Sequence, residues 1–289
     1  AKELDELLNK MKTFKSMNPE IATVDSAGNV RPAHKGNYGS TVILVEYNYN
    51  DLEVVNKFKG MIRVKVAPYM GVASPMVEAG GGYTIALKYD GTVWAWGLNT
   101  YGQLGNNTTT GSSLPVQVKI ANGDLNLTNV VSISAGYQHN IALRKDGTVW
   151  AWGDNSYGQL GIGVKGNPTD SSKTSCLTPM QVVTGEQDSS STYLEDIIQI
   201  SAGPTFAMAL DRKGNVYTWG QNNVGQLGNN TNTDSNAPVR VSGGLAYTVY
   251  LGDVIQIAAG GDWVNGTNDF AVVLRKDGSV MTWGQNSNG

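Results

Sequence analysis

Short runs of alternating apolar and polar residues recur along most of the chain, each stopped by a glycine. Ile85-Ala-Leu and Val93-Trp-Ala-Trp bracket Tyr-Asp-Gly, a turn of the Asp-Gly hairpin type. The third copy of this hairpin carries Gly214-Asn215 at the turn, which also supplies the positive φ required there. A further apolar strand precedes each hairpin, over 131–136, 197–203 and 254–260, and a "Pro-Val-Gln-Val"-like strand follows over 115–118, 179–182 and 238–241. Four short strands in each unit of about 50 residues predict the blades of an all-β propeller of four-stranded antiparallel sheets.

The units align closely. Glu78–Gly97, Ser134–Gly153, Ser201–Gly220 and Ala258–Gly284 share an Ala-Gly start and a Trp-Gly end. From the first glycine to the last the interval is 17 residues in three copies (80 to 97, 136 to 153, 203 to 220). In the fourth it is 24 (260 to 284), an insertion of seven. Three copies run on into Gly-Gln-Leu-Gly at 102–105, 158–161 and 225–228. Small residues at Ala-Gly and the indole at Trp-Gly are expected to form the packed interfaces between blades.

These motifs, AGxxxxxAL…DGxVxxWGxNxxGQLG, resemble the repeats of the regulator of chromosome condensation family over roughly residues 75–289. The resemblance implies a seven-bladed propeller when complete. Three full repeats and part of a fourth are present, ending at Gly289, so the chain is expected to be a fragment of a longer protein.

Residues 1–68 lack the repeat. Leu4, Leu7, Leu8, Met11 and Phe14 are spaced for one helical face, with acids early and lysines late, and predict a short helix over about 2–11. The stretch from Asn18 to Arg31 (NPEIATVDSAGNVR) resembles the strand–turn–strand centre of group 2 bacterial immunoglobulin-like domains. Gly39–Val45 and Met61–Val66 fit the strands that follow in those domains. The expected organisation is a partial immunoglobulin-like β-sandwich over 1–68, a linker over 69–75 and incomplete propeller repeats over 76–289. The resemblance implies a stalk module, and hence an extracellular or cell-wall-associated bacterial protein.

Composition sharpens this picture. The chain has 289 residues, with 36 glycines, far above ordinary usage, and 16% charged residues, too few for a helical bundle. With 24 acidic against 21 basic side chains the net charge is −3, which argues against a nucleic-acid partner. No apolar run is long enough for a membrane helix. Cys176 is the only cysteine, so no intrachain disulfide can form.

Candidate chemistry is sparse. Gly161-Ile-Gly-Val-Lys-Gly166 matches a dinucleotide fingerprint, but Asn167-Pro168 follows where a helix should open. His139 and His34 are the two histidines. His139 falls within a repeat and is expected to hold structure by hydrogen bonding. The serines and acids of 165–196 read as solvated loop. No catalytic, cofactor or metal site is expected.

Trp94, Trp96, Trp150, Trp152, Trp219 and Trp283 recur with the blades and are expected in packing, whereas Trp263 lies in the fourth copy's insertion beside Asp262 and Asn265. An indole on such a loop either contacts a protein or sugar partner or folds back on its own blade. Tyr101 and Tyr157 precede Gly-Gln-Leu-Gly and are expected to share a rim with these loops. The expected function is a non-catalytic protein-interaction or adhesion module, with glycan as a possible ligand. The alternatives are guanine-nucleotide exchange on a small GTPase, as in the family's eukaryotic namesake, and inhibition of an enzyme.

Overall fold

The computed structural model describes residues 73–120, 125–187, 189–243, 250–262 and 268–286, together with the backbone of five earlier strands. The chain divides into two units, Ala1–Tyr69 and Met70–Gly289. Every described element is a β-strand.

In the first unit β1 (Lys12–Ser16), β4 (Gly39–Tyr47) and β5 (Phe58–Val66) form an antiparallel sheet in the order β1-β4-β5. A separate hairpin pairs β2 (Ala22–Val24) with β3 (Val30–Pro32). One sheet and one hairpin do not amount to the expected immunoglobulin-like sandwich. The predicted helix over 2–11 lies outside the described residues. Phe14, counted on its apolar face, instead sits in β1 opposite Val45. Cross-strand pairing overrides a local spacing that suits a helix.

Four sheets build the second unit. The first orders β6 (Met76–Ala79), β7 (Tyr83–Leu87), β8 (Val93–Gly97) and β9 (Ser112–Gln117). A small hairpin of β10 (Lys119–Ile120) and β11 (Leu125–Asn126) leads to the second sheet. That sheet holds β12 (Val130–Ala135), β13 (His139–Arg144), β14 (Val149–Asp154) and β15 (Ser175–Gln181). The third holds β16 (Ile197–Ala202), β17 (Phe206–Asp211), β18 (Val216–Gly220) and β19 (Ser235–Arg240). The fourth has three described strands, β20 (Val254–Gly260), β21 (Phe270–Arg275) and β22 (Val280–Gly284). All neighbours are antiparallel, as the Asp-Gly hairpins require.

Each sheet buries its faces against the next. One apolar cluster joins Ile85, Val93 and Leu104 of blade 1 to Ile133 and Trp152 of blade 2. A second joins Ile141 and Val149 of blade 2 to Ile200 and Trp219 of blade 3. A third joins Phe206 and Val216 to Ile257, Ala271 and Val273 of blade 4. The first strands of successive blades also bond through side chains: the Ala202 N–H donates to Ser134 Oγ at 3.0 Å, and the Ala259 N–H to Ser201 Oγ at 2.9 Å. Stacking of repeats thus removes apolar faces that no blade could bury alone.

The tryptophans divide into two classes. Trp152 and Trp219 are fully buried between blades. Trp94 and Trp150 stay half-exposed, with Lys88 and Arg144 lying over their rings at 5.3 and 5.7 Å. Period alone placed both classes in packing, and they share one face of the strand, two residues apart; their position along it decides which indole the neighbouring blade covers. Only the inter-blade set is core.

Candidate functional site

The alternation of strand direction places two kinds of connection at the same end of the sheets. One kind is the short loop between first and second strands, over 80–82, 136–138 and 203–205, lengthened to 261–269 in blade 4. The other is the long connection between third and fourth strands, over 98–111, 155–174 and 221–234. Together they form a rim.

A buried asparagine organises each long connection. Asn99 Oδ1 accepts from the Leu104 N–H at 2.8 Å, Asn155 Oδ1 from Leu160 at 3.0 Å, and Asn222 Oδ1 from Leu227 at 2.9 Å. The amide then donates into the loop: Asn99 Nδ2 to the carbonyls of Thr108 and Thr110, Asn155 Nδ2 to Val164 and Gly166, Asn222 Nδ2 to Thr231 and Thr233. One buried side chain thus ties down two ends of a polar loop. These asparagines were legible as the recurring Asn of the Trp-Gly-x-Asn motif, but only the structure gives them a task.

The glutamine of Gly-Gln-Leu-Gly closes the turn. Gln103 Oε1 accepts from the Tyr101 N–H and Gln159 Oε1 from the Tyr157 N–H, both at 2.8 Å. This fixes the backbone that carries both tyrosines. Tyr157 is exposed and Tyr101 half-buried. Blade 2 adds a charge: Asp154 Oδ2 accepts from Gln159 Nε2 at 2.7 Å. Burial pushes the Asp154 carboxyl upward, opposed by its bonds from Ser156 and Gln159.

Blade 4 departs from this pattern at its insertion. Asp262 accepts from Asn268 Nδ2 at one end of the loop, and Asp269 takes the Thr205 hydroxyl at 2.6 Å at the other. Burial, with the charge of Asp262 adding to it, raises the Asp269 carboxyl to about 6, while its Oδ1 finds no hydrogen-bond partner. Trp263 and Asn265, the other predicted contacts of this loop, lie outside the described residues. Tyr101, Tyr157 and Asp262 stand at the same end of their sheets, each on a different blade.

Where the short loops meet, they line a hollow of about 600 Å³, bordered by Gly81, Leu98, Tyr137, Pro204 and Gly261. It is walled mainly by glycine, alanine and backbone. The Gly81 N–H donates to the Tyr137 carbonyl at 2.8 Å and the Tyr137 N–H to the Pro204 carbonyl at 3.1 Å, linking three blades around it.

His139 corrects an expectation. Its ring is fully buried and neither nitrogen completes a hydrogen bond. It stands where Tyr83, Phe206 and Phe270 stand in the other blades, against the glycine of Ala-Gly. Burial drags its titration down to about 4, with the Phe206 backbone acting against that shift. The residue serves chiefly as a packing group in the place of an aromatic ring. Burial likewise raises the Cys176 thiol to about 12. Among the described residues no three His, Cys, Asp or Glu gather as metal ligands. Nor is any helix among them long and apolar enough to cross a membrane.

The sequence matches the regulator of chromosome condensation (RCC1) repeat over residues 90–143, 146–210 and 213–264. The chain belongs to the RCC1 repeat family. Among curated relatives, the ultraviolet-B receptor of Arabidopsis thaliana is 27% identical over 235 residues, covering 80% of this chain and 49% of the receptor. A probable E3 ubiquitin-protein ligase, HERC6 of Homo sapiens, is 35% identical over 219 residues, covering 74% of this chain and 18% of the ligase. Prp20p from Saccharomyces cerevisiae, solved and described with its binding to Gsp1p and histones, matches with a TM-score of 0.54 at 18% identity. That alignment covers 85% of this chain and 56% of Prp20p. The RCC1 repeat chain therefore spans less than half the length of either relative, and shares its propeller fold with Prp20p. In RCC1-repeat terms the rim is the variable part of an otherwise repeated frame.

Proposed function

We propose that this chain is a non-catalytic module that binds a protein partner through the rim carrying Tyr101, Tyr157 and Asp262. One contrast carries the reading. Asn99, Asn155 and Asn222 are nearly or fully buried and repeat the same bonds, whereas the connections they hold run over 98–111, 155–174 and 221–234, with different sequences and one much longer loop. A rigid frame that displays dissimilar polar loops at one end suits recognition. The protein partners described for Prp20p support the class of ligand. A receptor and a ubiquitin ligase share the repeat, which supports a common scaffold over any single activity. The non-catalytic reading rests on His139 and Cys176 being packing groups that titrate well away from neutrality.

The setting is read from the first unit. Its resemblance to group 2 bacterial immunoglobulin-like domains supports a stalk, and with it a bacterial protein that is secreted or held at the cell wall. Capture of a saturable protein partner by the immobilised chain, competed by free chain, is the expected result. Accelerated nucleotide release from a small GTPase would move the reading to exchange, and binding only to glycan arrays would move it to a sugar ligand.

A further inference from the structure

At the opposite end of the sheets, three hairpins share one charge plan. Lys88 pairs with Asp90 at 3.6 Å, Arg144 with Asp146 at 3.5 Å and Arg275 with Asp277 at 3.7 Å. In blades 1 and 2 the same cations lie over Trp94 and Trp150. Blade 3 inverts the plan: Asp211 stands in the basic position, Lys213 in the acidic one, and Tyr217 replaces the tryptophan. Neither Asp211 nor Lys213 is in an ion pair among the described residues.

A polar pocket of about 420 Å³ opens there, walled by this hairpin, by Arg240 and by the connection carrying Ser189, Glu195 and Asp196. Its volume falls within the ~300–1,000 Å³ typical of small-molecule sites. Asp211 is already satisfied. Its Oδ1 accepts from the Lys213 and Asn215 N–H groups at 2.9 Å, and its Oδ2 from Asn215 Nδ2 at 2.8 Å and the Tyr217 hydroxyl at 3.2 Å. It is part of the wall.

Arg240 is different. Its Nη2 donates to Asn215 Oδ1 at 2.9 Å and its guanidinium stacks 4.1 Å from the Tyr250 ring, but its Nε is buried without an acceptor. It forms no ion pair among the described residues. In the lining of the same pocket Glu195 takes Ser189 Oγ at 2.5 Å, and among the described residues neither Glu195 nor Asp196 has a cationic partner. Both signs of charge thus line one concavity without meeting each other. Charges so placed are stabilised by a ligand that supplies both counter-charges at once.

We propose that this pocket binds a small zwitterion, a free α-amino acid or dipeptide, with its carboxylate toward Arg240 and Lys213 and its ammonium toward Glu195 and Asp196. The described residues of the connection, 183–187 and 189–196, are held independently of any ligand. The Glu195 N–H donates to Gln187 Oε1 at 3.1 Å, Gln187 Nε2 donates to the Glu195 carbonyl at 2.7 Å, and the Arg240 N–H donates to Glu186 Oε2 at 2.8 Å. The site is therefore preformed. It lies at the opposite end of the blades from the rim and stands whether or not the rim binds protein.

The test is titration of the full chain with the twenty free L-amino acids and glycylglycine, followed by calorimetry or amide chemical shifts. Saturable binding by at least one probe is expected. Its N-acetylated and C-amidated forms, each lacking one charge, should bind about tenfold or more weakly. Glu195→Gln and Arg240→Lys should each weaken binding similarly, and Lys88→Glu in blade 1 should leave it unchanged. Because Glu195→Gln keeps the backbone bonds of the connection, it remains informative if an Arg240 variant fails to fold. No saturable binding by any probe, or equal binding of the blocked forms, would overturn the proposal.

Discussion

The indole Nε1 of Trp152 donates to the main-chain carbonyl of Gln103 at 3.0 Å, across the boundary between two blades. Trp219 repeats this bond to Gln159 at 3.0 Å, and Trp283 to Gln226 at 2.9 Å. The tryptophan that ends one repeat therefore clips onto the turn that ends the previous one. Most of each indole's gain comes from apolar burial. The N–H supplies direction, since the buried carbonyl would otherwise lose a partner.

Removing only the N–H should be measurable. Trp219→Phe is expected to cost roughly 1–3 kcal/mol, and Trp219→Ala about 3–5 kcal/mol. Trp94→Phe, which loses an indole bond to Thr92 Oγ1 on the half-exposed face, should cost under ~1 kcal/mol. Urea unfolding of the three variants decides the order.

Gly161 has φ +65°, and a Cβ there would stand 2.8 Å from Trp219 Nε1. Gly161→Ala should therefore destabilise by about 1–3 kcal/mol through backbone strain and displacement of the clip. Gly252, which has open space around it, is the control. Gly252→Ala should be neutral, or stabilising by up to ~1 kcal/mol.

Stability should respond to pH through two buried groups of opposite sign. His139 titrates near 4 in the fold against an ordinary 6.5. The unfolded chain takes up that proton first, so stability is lost as pH falls from about 6.5 toward 4, by up to ~1.4 kcal/mol per pH unit. Asp269 is raised to about 6 from 3.8. Its contribution is present at low pH and is lost as pH rises across that range. Between pH 4 and 6 the two slopes oppose each other. His139→Phe, the residue blade 3 uses at that position, should expose the Asp269 slope. Asp269→Asn should expose the His139 slope and raise stability at neutral pH. Unfolding midpoints from pH 4 to 7 test both signs.

Asn155 ties the longest rim loop. Asn155→Ala removes three hydrogen bonds and orphans the buried Leu160 N–H, an expected cost of roughly 1–3 kcal/mol. Cleavage by trypsin at Lys165 or Lys173 should quicken well before the rest of the chain unfolds. Unchanged cleavage would mean the loop holds itself.

Much of this was legible because each repeat is forced to solve the same packing problem. Glycine and tryptophan recur at fixed intervals since Gly105, Gly161 and Gly228 each touch the indole of the following blade. Strand positions and the inter-blade interfaces followed from that period. Period could not separate Trp94 from Trp152, because both recur on one side of the strand and the neighbouring blade decides how far along it cover extends. It could not show that His139 substitutes for an aromatic ring, because the pocket against Gly136 comes from the fold. The polar pocket of blade 3 escaped for a related reason. Asp211 and Lys213 carry no motif, and only the fold brings Arg240, distant in sequence, beside them.

The claim that the rim recognises a protein is tested most directly by paired variants in one capture experiment. One variant replaces residues 162–174 with the sequence of 106–111 and carries Tyr157→Ala. The other reverses charge at the opposite end with Lys88→Glu and Lys145→Glu. Both are first shown to unfold like the parent chain. The account predicts that the rim variant loses the captured protein while the opposite-end variant retains it. Retention by the rim variant together with loss by the other would contradict it.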